Sequence, residues 1–305
     1  MSALGELGKL RGGTKNRKDN KAAYIFLAPW LVGLFGITLG PMLISLYLSF
    51  TNYNLFQSPD FIGLRNFERM FQDERLLNSL RVTLTYMFTS VPPQLALALL
   101  VALVLDRGMR GLSLYRSVFY LPSLLGASVA VAILWKQIFG TDGIVTSILL
   151  AFGIDSPGWI SDSRTALMTI VLLHIWTFGS PMVIFLAGLR QIPTMYYEAA
   201  EVDGAGRFTR FFRITLPLLS PIIFFNLVLQ VIGAFQSFTQ AFIVSGGTGG
   251  PSDSTMFFTL YLYQTGFGNF DMGYASAMAW SLLIIIGAFT AVNFWASRFW
   301  VFYDD

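Results

Sequence analysis

Cysteine is absent from this 305-residue chain, and histidine occurs once, as His174. Without thiols there is no disulfide, no thiolate nucleophile, no iron–sulfur cluster and no cysteine-ligated zinc site. A lone imidazole excludes multi-histidine metal sites and histidine-pair proton relays. Charge is scarce as well. Only 12% of residues are charged, against 54% hydrophobic and 16% aromatic, with mean hydropathy +0.61. An average soluble domain carries about 25% charged residues, so this chain lacks the polar surface to cover a soluble globule. No Gly-Lys-Ser or Gly-Lys-Thr ending of a phosphate-binding loop occurs, not even after the glycine-rich run 245–251. Any ATP hydrolysis must come from another chain.

The charges are clustered. No Asp, Glu, Lys or Arg falls within 22–59, 82–105, 117–135, 165–189, 214–252 or 272–297. A membrane-spanning helix needs about 20 mostly apolar residues, and each window meets or nearly meets that length. The expected fold is therefore an all-α polytopic membrane protein with six spans near 24–48, 80–105, 117–139, 165–189, 217–243 and 272–297. Residues 1–21 form a basic tail with Lys9, Arg11, Lys15, Arg17, Lys18 and Lys21. It resembles the n-region of a signal peptide, but the apolar stretch behind it is too long for an h-region and reads as an uncleaved first span.

Placing both termini in the cytoplasm puts the tail, 106–116, 190–216 and 298–305 inside. Those segments hold six, three, four and one basic residues, fourteen of the twenty in the chain. The long outer stretch 244–271 holds none. The positive-inside rule favours this orientation and explains the pI near 9.1 without nucleic acid. On the outer side, residues 66–71 alternate apolar and charged side chains at helical spacing, suggesting a short surface helix. The charge-free segment 254–270, interrupted by Gln264, Gly266, Gly268 and Asn269, reads as an interfacial or re-entrant helix.

The most informative segment is the inner loop 190–216. Pro193 and Thr194 open a short helix that Tyr197 to Val202 continue, and Asp203-Gly204-Ala205-Gly206 ends it. A second short helix is expected to follow, carrying Arg207, Phe208, Arg210 and Arg213. Ala199 and Ala200 leave one face slim enough for close backbone approach, while Glu198 and Glu201 offer acceptors to a partner's arginines. By chemistry alone this is either a charged connector that sets topology or a docking surface.

The residue pattern adds to that reading. Glu198-Ala199-Ala200, then Gly204, then Ile214-x-Leu216-Pro217 resembles the EAA motif of permease subunits in binding-protein-dependent ABC importers. Gly63-Leu64-Arg65-Asn66-Phe67, Asn78-Ser79-Leu80, the stretch 116–122, Tyr-Gln-Thr-Gly-Phe from Tyr263 and Gly273-Tyr274-Ala275-Ser276-Ala277 resemble the sugar-type subgroup. The likeness runs from about Tyr24 to the end, and is nearest to the first permease of maltose-, lactose- and glycerol-phosphate-type systems. It implies a type I importer fold in a bacterial or archaeal cell membrane. It also implies a second homologous permease, two ATP-binding subunits that hold ATP and magnesium, an extracytoplasmic solute-binding protein, and a sugar or short oligosaccharide as substrate. Tyr197, Glu198, Ala199, Ala200, Glu201, Asp203, Gly204, Ala205, Arg207 and Phe208 would then seat in an ATPase subunit.

A solute path is sought among small and polar side chains inside the spans. At 100° per residue, Asn226, Gln230, Gly233, Ala234, Ser237 and Gln240 share a sector of about 120° on an ideal fifth helix. Such a stripe either lines a pathway or packs against another helix. On the fourth span His174 and Thr177 share a face, His174 as an interhelical hydrogen-bonder or a pathway residue. The span interiors hold no carboxylate, and Lys136 is borderline. That counts against a stand-alone secondary carrier, which places ionisable groups near midplane, and favours a neutral, hydroxyl-rich solute. Glycerol phosphate diesters or polyols are the alternative substrates. A membrane enzyme would need a convergent acid–base or metal set, which the chain does not offer.

Overall fold

Glu74–Leu105 is the axis of the molecule, a 32-residue helix that continues through Pro92 and Pro93. Its start lies before the expected 80 because Asp73 caps it, accepting from the Leu76 amide at 3.0 Å and satisfying a first-turn donor. The computed structural model describes residues 17–108, 111–154 and 158–302, with the backbone alone for 17–23. Tail residues 1–16 and Arg110 lie outside the described residues. Among the described residues the protein is all-α, with one isolated bridge between Thr51 and Phe61.

Among the described residues, six stretches are long and apolar enough to cross a membrane: Tyr24–Leu48, Glu74–Leu105, Val129–Ala151, Ala166–Leu189, Arg207–Phe235 and Met272–Ser297. The fourth is the most enclosed. Ile170, Leu173, Met182, Phe185 and Leu186 on it are all at most 1% exposed, packed on the axial helix. The first is the reverse case. Its second half meets the sixth span through Gly40–Leu48, while Tyr24, Ile25, Phe26 and Trp30 stay exposed.

The third passage differs from apolarity alone. Helix Leu112–Leu125 and helix Val129–Phe139 are separated at 126–128, and Ile144–Ala151 follows a turn at 140–143. Interhelical contacts decide which part crosses. A Cβ at Gly179 would collide with the Phe119 carbonyl, Ser123 Oγ donates to the Thr177 carbonyl at 2.8 Å, and Trp135 Nε1 donates to Thr169 O at 2.8 Å. The first two helices therefore run antiparallel to the fourth span along its whole length, and the third lies beyond the turn.

The fifth span corrects the expected 217–243. Its helix begins at Arg207, passes a π-helical turn at Phe211–Thr215, and ends at Phe235. Thr239–Ser245 is a separate short helix. The two ends of the bundle have distinct character. At one, here termed the crown, the segments 49–73, 140–154, 158–165 and 236–271 gather. At the other, the base, an Asp106–Arg190 ion pair at 3.6 Å joins the exits of the second and fourth spans, and the Phe302 amide donates to Ser220 Oγ at 2.9 Å.

Candidate functional site

The base carries helix Thr194–Val202, entered from Pro193 in extended geometry. Its end is a Schellman motif. The Ala205 amide donates to Ala200 O at 2.8 Å and the Gly204 amide to Glu201 O at 3.0 Å, which requires Gly204 in the left-handed region, at φ +74°. A Cβ there would meet nothing within 4 Å, so glycine serves conformation here, not clearance. The expected second short helix is not a separate element. Arg207–Arg210 is the opening of the fifth span, so the turn at Gly204 joins the base helix directly to a spanning helix. Two side-chain contacts reinforce that joint: Tyr197 Oη lies 3.0 Å from Thr215 Oγ1, and Arg210 pairs with Glu201 at 3.3 Å.

What the base helix turns outward is unusual for a charged loop. Val202 is 90% exposed and Phe208 83% exposed, with Met195 and Phe212 also exposed. Glu198 is exposed and makes no hydrogen bond or ion pair among the described residues. Apolar side chains beside an unpaired carboxylate thus form an exposed face, a surface of the kind that marks interaction sites. On its inner side, the base helix and the foot of the fifth span enclose a groove of about 600 Å³.

Deeper in the bundle, three spans are interrupted at one level. The third breaks at 126–128, the fourth at Thr177–Phe178 and the fifth at 236–238. The interruptions touch: a Cβ on Gly126 would strike the Thr177 methyl group. Backbone groups freed inside a membrane must be satisfied by neighbours, and three side chains do so. Gln94 Nε2 donates to His174 O at 2.9 Å, with Thr177 O and Thr177 Oγ1 at 3.2 and 3.1 Å. Ser123 Oγ donates to Thr177 O and accepts from the Ser180 amide at 2.9 Å. Gln240 Nε2 donates to Gly126 O at 3.1 Å. Pro181 falls in the first turn after the break, where its missing N–H costs no helical bond.

This layer splits the expected stripe. Ser237 and Gln240 follow the helix end, so an ideal-helix projection does not describe them; Gln240 holds the third-span break, and the Ser237 carbonyl accepts from Thr259 Oγ1. Asn226 is buried and donates to Ile222 O on its own helix at 3.1 Å, and Ala234 is fully buried. Gln230 is half-buried with no hydrogen bond among the described residues, and Gly233 is open, with nothing within 4 Å of its Cβ position. His174 packs edge-on against Tyr86 at 5.5 Å, and Thr177 belongs to the break. Of these positions Gly233 is exposed, Asn226 and Ala234 are buried, and the other five are half-buried; Gln230 is the half-buried polar side chain among the fifth-span candidates with no hydrogen bond among the described residues.

Single-residue reasoning missed the crown. Asp73 accepts from Tyr261 Oη and Tyr274 Oη, each at 2.8 Å, besides capping the axial helix. Arg75 grips Asp253 through two bonds of 2.8 and 2.9 Å, and Arg69 pairs with Asp271 at 2.7 Å over the Tyr274 ring. Asn66 Nδ2 donates to Ser49 O and Thr51 O. Burial opposes ionisation of Asp73, yet the Leu76 amide and the tyrosine hydroxyls outweigh it and hold its carboxyl below the usual range. Burial, then the Asp73 hydrogen bond, pushes Tyr261 up to about 12. Within segment 254–270, Met256, Phe257, Phe258 and Leu260 are buried in protein, and the Phe258 amide donates to Thr83 Oγ1 at 2.9 Å. The signal was present, since Asn66 and Tyr274 both lie in the stretches that resembled sugar-type permeases.

Comparison with known proteins agrees over most of the chain. The profile of a family described as "Binding-protein-dependent transport system inner membrane component" matches residues 71–300. A "Probable ABC transporter permease protein YesP" of Bacillus subtilis is 52% identical over 95% of this chain and 94% of its own length. The lactose transport system permease protein LacF of Rhizobium radiobacter is 32% identical over 90% of this chain and 93% of its own. The sn-glycerol-3-phosphate transport system permease protein UgpA of Agrobacterium fabrum is 34% identical over 89% and 92%. The fold matches a chain of a bacterial alginate ABC transporter solved with an alginate pentasaccharide-bound periplasmic protein, at TM-score 0.78 and 22% identity, covering 93% of this chain and 96% of that one.

Proposed function

The chain belongs to the family of binding-protein-dependent transport system inner membrane components, the permeases of ABC importers, and from that premise we propose how it works. It forms half of a pathway for a sugar or short oligosaccharide and performs no chemistry of its own. ATP and magnesium are held by two separate ATP-binding subunits. A second, homologous permease supplies the other half of the pathway, and an extracytoplasmic binding protein delivers solute to the crown. The cell membrane places the base inside, as the arginine count favours.

One observation carries the coupling: Thr194–Val202 is joined through the Gly204 turn and the Tyr197–Thr215 contact to a helix that crosses the membrane. A push on the exposed face around Glu198 therefore reaches the fifth span without passing through a flexible loop. The domain division follows: a basic tail 1–21, a permease domain 22–305, and the coupling segment 190–216 within it. Gln230 and Gly233 line the solute path. The other candidates, His174, Thr177, Asn226, Ala234, Ser237 and Gln240, shape it from behind. Within the same role, glycerol phosphate diesters or polyols are the alternative cargo; the relative UgpA is named for sn-glycerol-3-phosphate transport.

Uptake into proteoliposomes tests this function. With both permeases, both ATP-binding subunits and the binding protein present, oligosaccharide entry should require ATP inside. Entry driven by a proton or sodium gradient without the ATP-binding subunits would replace the importer with a secondary carrier. Orientation is read separately by membrane-impermeant thiol labelling of this cysteine-free chain. The exposed positions Thr248 and Thr209, each changed to Cys, should label from outside and only from inside respectively; the reverse would invert the topology.

A further inference from the structure

We propose that the groove behind the base helix is a binding site for an anionic phospholipid, with Arg213 holding its headgroup. Arg213 is exposed and has no ion pair or hydrogen bond among the described residues, whereas Arg210, one turn earlier, is paired with Glu201. It is also the last charge before a 39-residue uncharged stretch, 214–252. The groove changes character at that point. Its mouth holds Gln191, Tyr196 and Arg213, and its inner wall is Ile214, Leu218 and Ile222 of the spanning helix. A phosphate at the mouth with acyl chain along the wall matches this sequence of polar and apolar surface. A soluble anion would use the mouth and leave the wall bare to water. A purely apolar peptide would leave Arg213 unpaired. A guanidinium also grips phosphate oxygens in two-point geometry.

The place matters for coupling. Tyr196 neighbours Tyr197, which contacts Thr215, and Phe302 closes the far side of the groove. A lipid here would wedge between the base helix and the spanning helix that it moves. The site itself stands on the groove; only its assignment to the inner leaflet rests on the proposed orientation.

Photo-crosslinking tests this in the intact importer, in bilayer discs. Photoreactive phosphatidylglycerol should label peptides from 191–222, and photoreactive phosphatidylcholine should label them several-fold less. Arg213→Gln should lower phosphatidylglycerol labelling about fivefold, the loss expected from one basic residue beside an anionic lipid, and Arg213→Lys should restore most of it. Labelling elsewhere on the chain should stay constant, which shows that each variant is folded. Excess inorganic phosphate should not compete; if it does, the groove is a soluble-anion site. Equal labelling by both lipids, an unchanged Arg213→Gln variant, or labelling that is seen in the permease alone and is absent from the intact importer would each overturn the proposal. The last would show that protein fills the groove. Inner- versus outer-leaflet delivery of the probe reads the orientation independently.

Discussion

The Tyr197 and Thr215 hydroxyls lie 3.0 Å apart, joining a short helix at the base of the bundle to the foot of the fifth span. The contact is partly buried and neutral, so its net worth is about 0.5–1.5 kcal/mol. Tyr197→Phe keeps the ring and deletes the bond. The variant should insert and assemble normally, but stimulation of ATP hydrolysis by loaded binding protein should fall several-fold. Unchanged stimulation would mean that the Gly204 turn alone transmits the motion.

Gln230 and Asn226 separate two roles that an ideal helix assigns to one stripe. Gln230→Leu should slow uptake several-fold with little effect on thermal stability, because its amide is unbonded and half-buried. Asn226→Leu should do the opposite, since the Asn226 side chain is buried and bonded to its own helix. Transport and melting temperature of the two purified variants check this. Normal transport in Gln230→Leu would place the solute path elsewhere.

Gln94 satisfies two carbonyls and a hydroxyl where the fourth span is broken. Gln94→Leu removes one donor from carbonyls that keep others, Ser123 Oγ on Thr177 O and Thr177 Oγ1 on His174 O, so the loss is about 0.5–1.5 kcal/mol net per hydrogen bond. The melting temperature should drop clearly, while Gln94→Glu at neutral pH should be worse because it adds an unpaired charge. A Gln94→Leu variant as stable as wild type would mean that the remaining donors suffice.

The spans and the base loop were legible in sequence because charge-free length and arginine placement are direct consequences of the membrane. The interruptions were not. Pro181 marks a bend in the fourth span, but nothing local marks 236–238 as a break; the first is held by Gln94 and Ser123 and the second by Thr259, side chains that arrive from other helices. Projection of Ser237 and Gln240 onto the fifth helix failed for the same reason. The second helix of the base loop was misread because Arg207 and Arg210 look like loop charges, although helical hydrogen bonding continues past them through a π-turn into the span. The crown network was invisible to residue-by-residue chemistry, since Asp73 meets Tyr261 and Tyr274 only after nearly 200 residues of chain, at separations of 188 and 201.

That crown gives a pH dependence with a defined sign. The Asp73 carboxyl is held below its ordinary value of 3.8, so its contribution is complete above that value and is lost as pH falls through the lower folded one. Removing the hydroxyl donors by Tyr261→Phe with Tyr274→Phe should bring Asp73 back towards its ordinary behaviour. Thermal unfolding followed from pH 7 down to the acid range should show wild type losing more stability than the double variant below about pH 4. Identical acid profiles would mean that the tyrosines do not stabilise the carboxylate.

The coupling of the Glu198 face to a separate ATPase is tested most directly by two substitutions at the base. Gly204→Val forces a β-branched residue into left-handed geometry at φ +74°, costing about 1–2 kcal/mol at that turn, whereas Gly204→Asn is tolerated there. Glu198→Arg reverses the charge on a residue with no hydrogen bond or ion pair among the described residues, so the fold should be indifferent to it. Copurification of the ATP-binding subunits and solute-stimulated ATP hydrolysis are measured together for all three variants against wild type. Gly204→Val and Glu198→Arg should lose stimulation or lose the subunits while the permease remains folded in the membrane, and Gly204→Asn should keep both. If Gly204→Val and Glu198→Arg both retain bound subunits and full stimulation, the base helix is a connector and the coupling lies elsewhere.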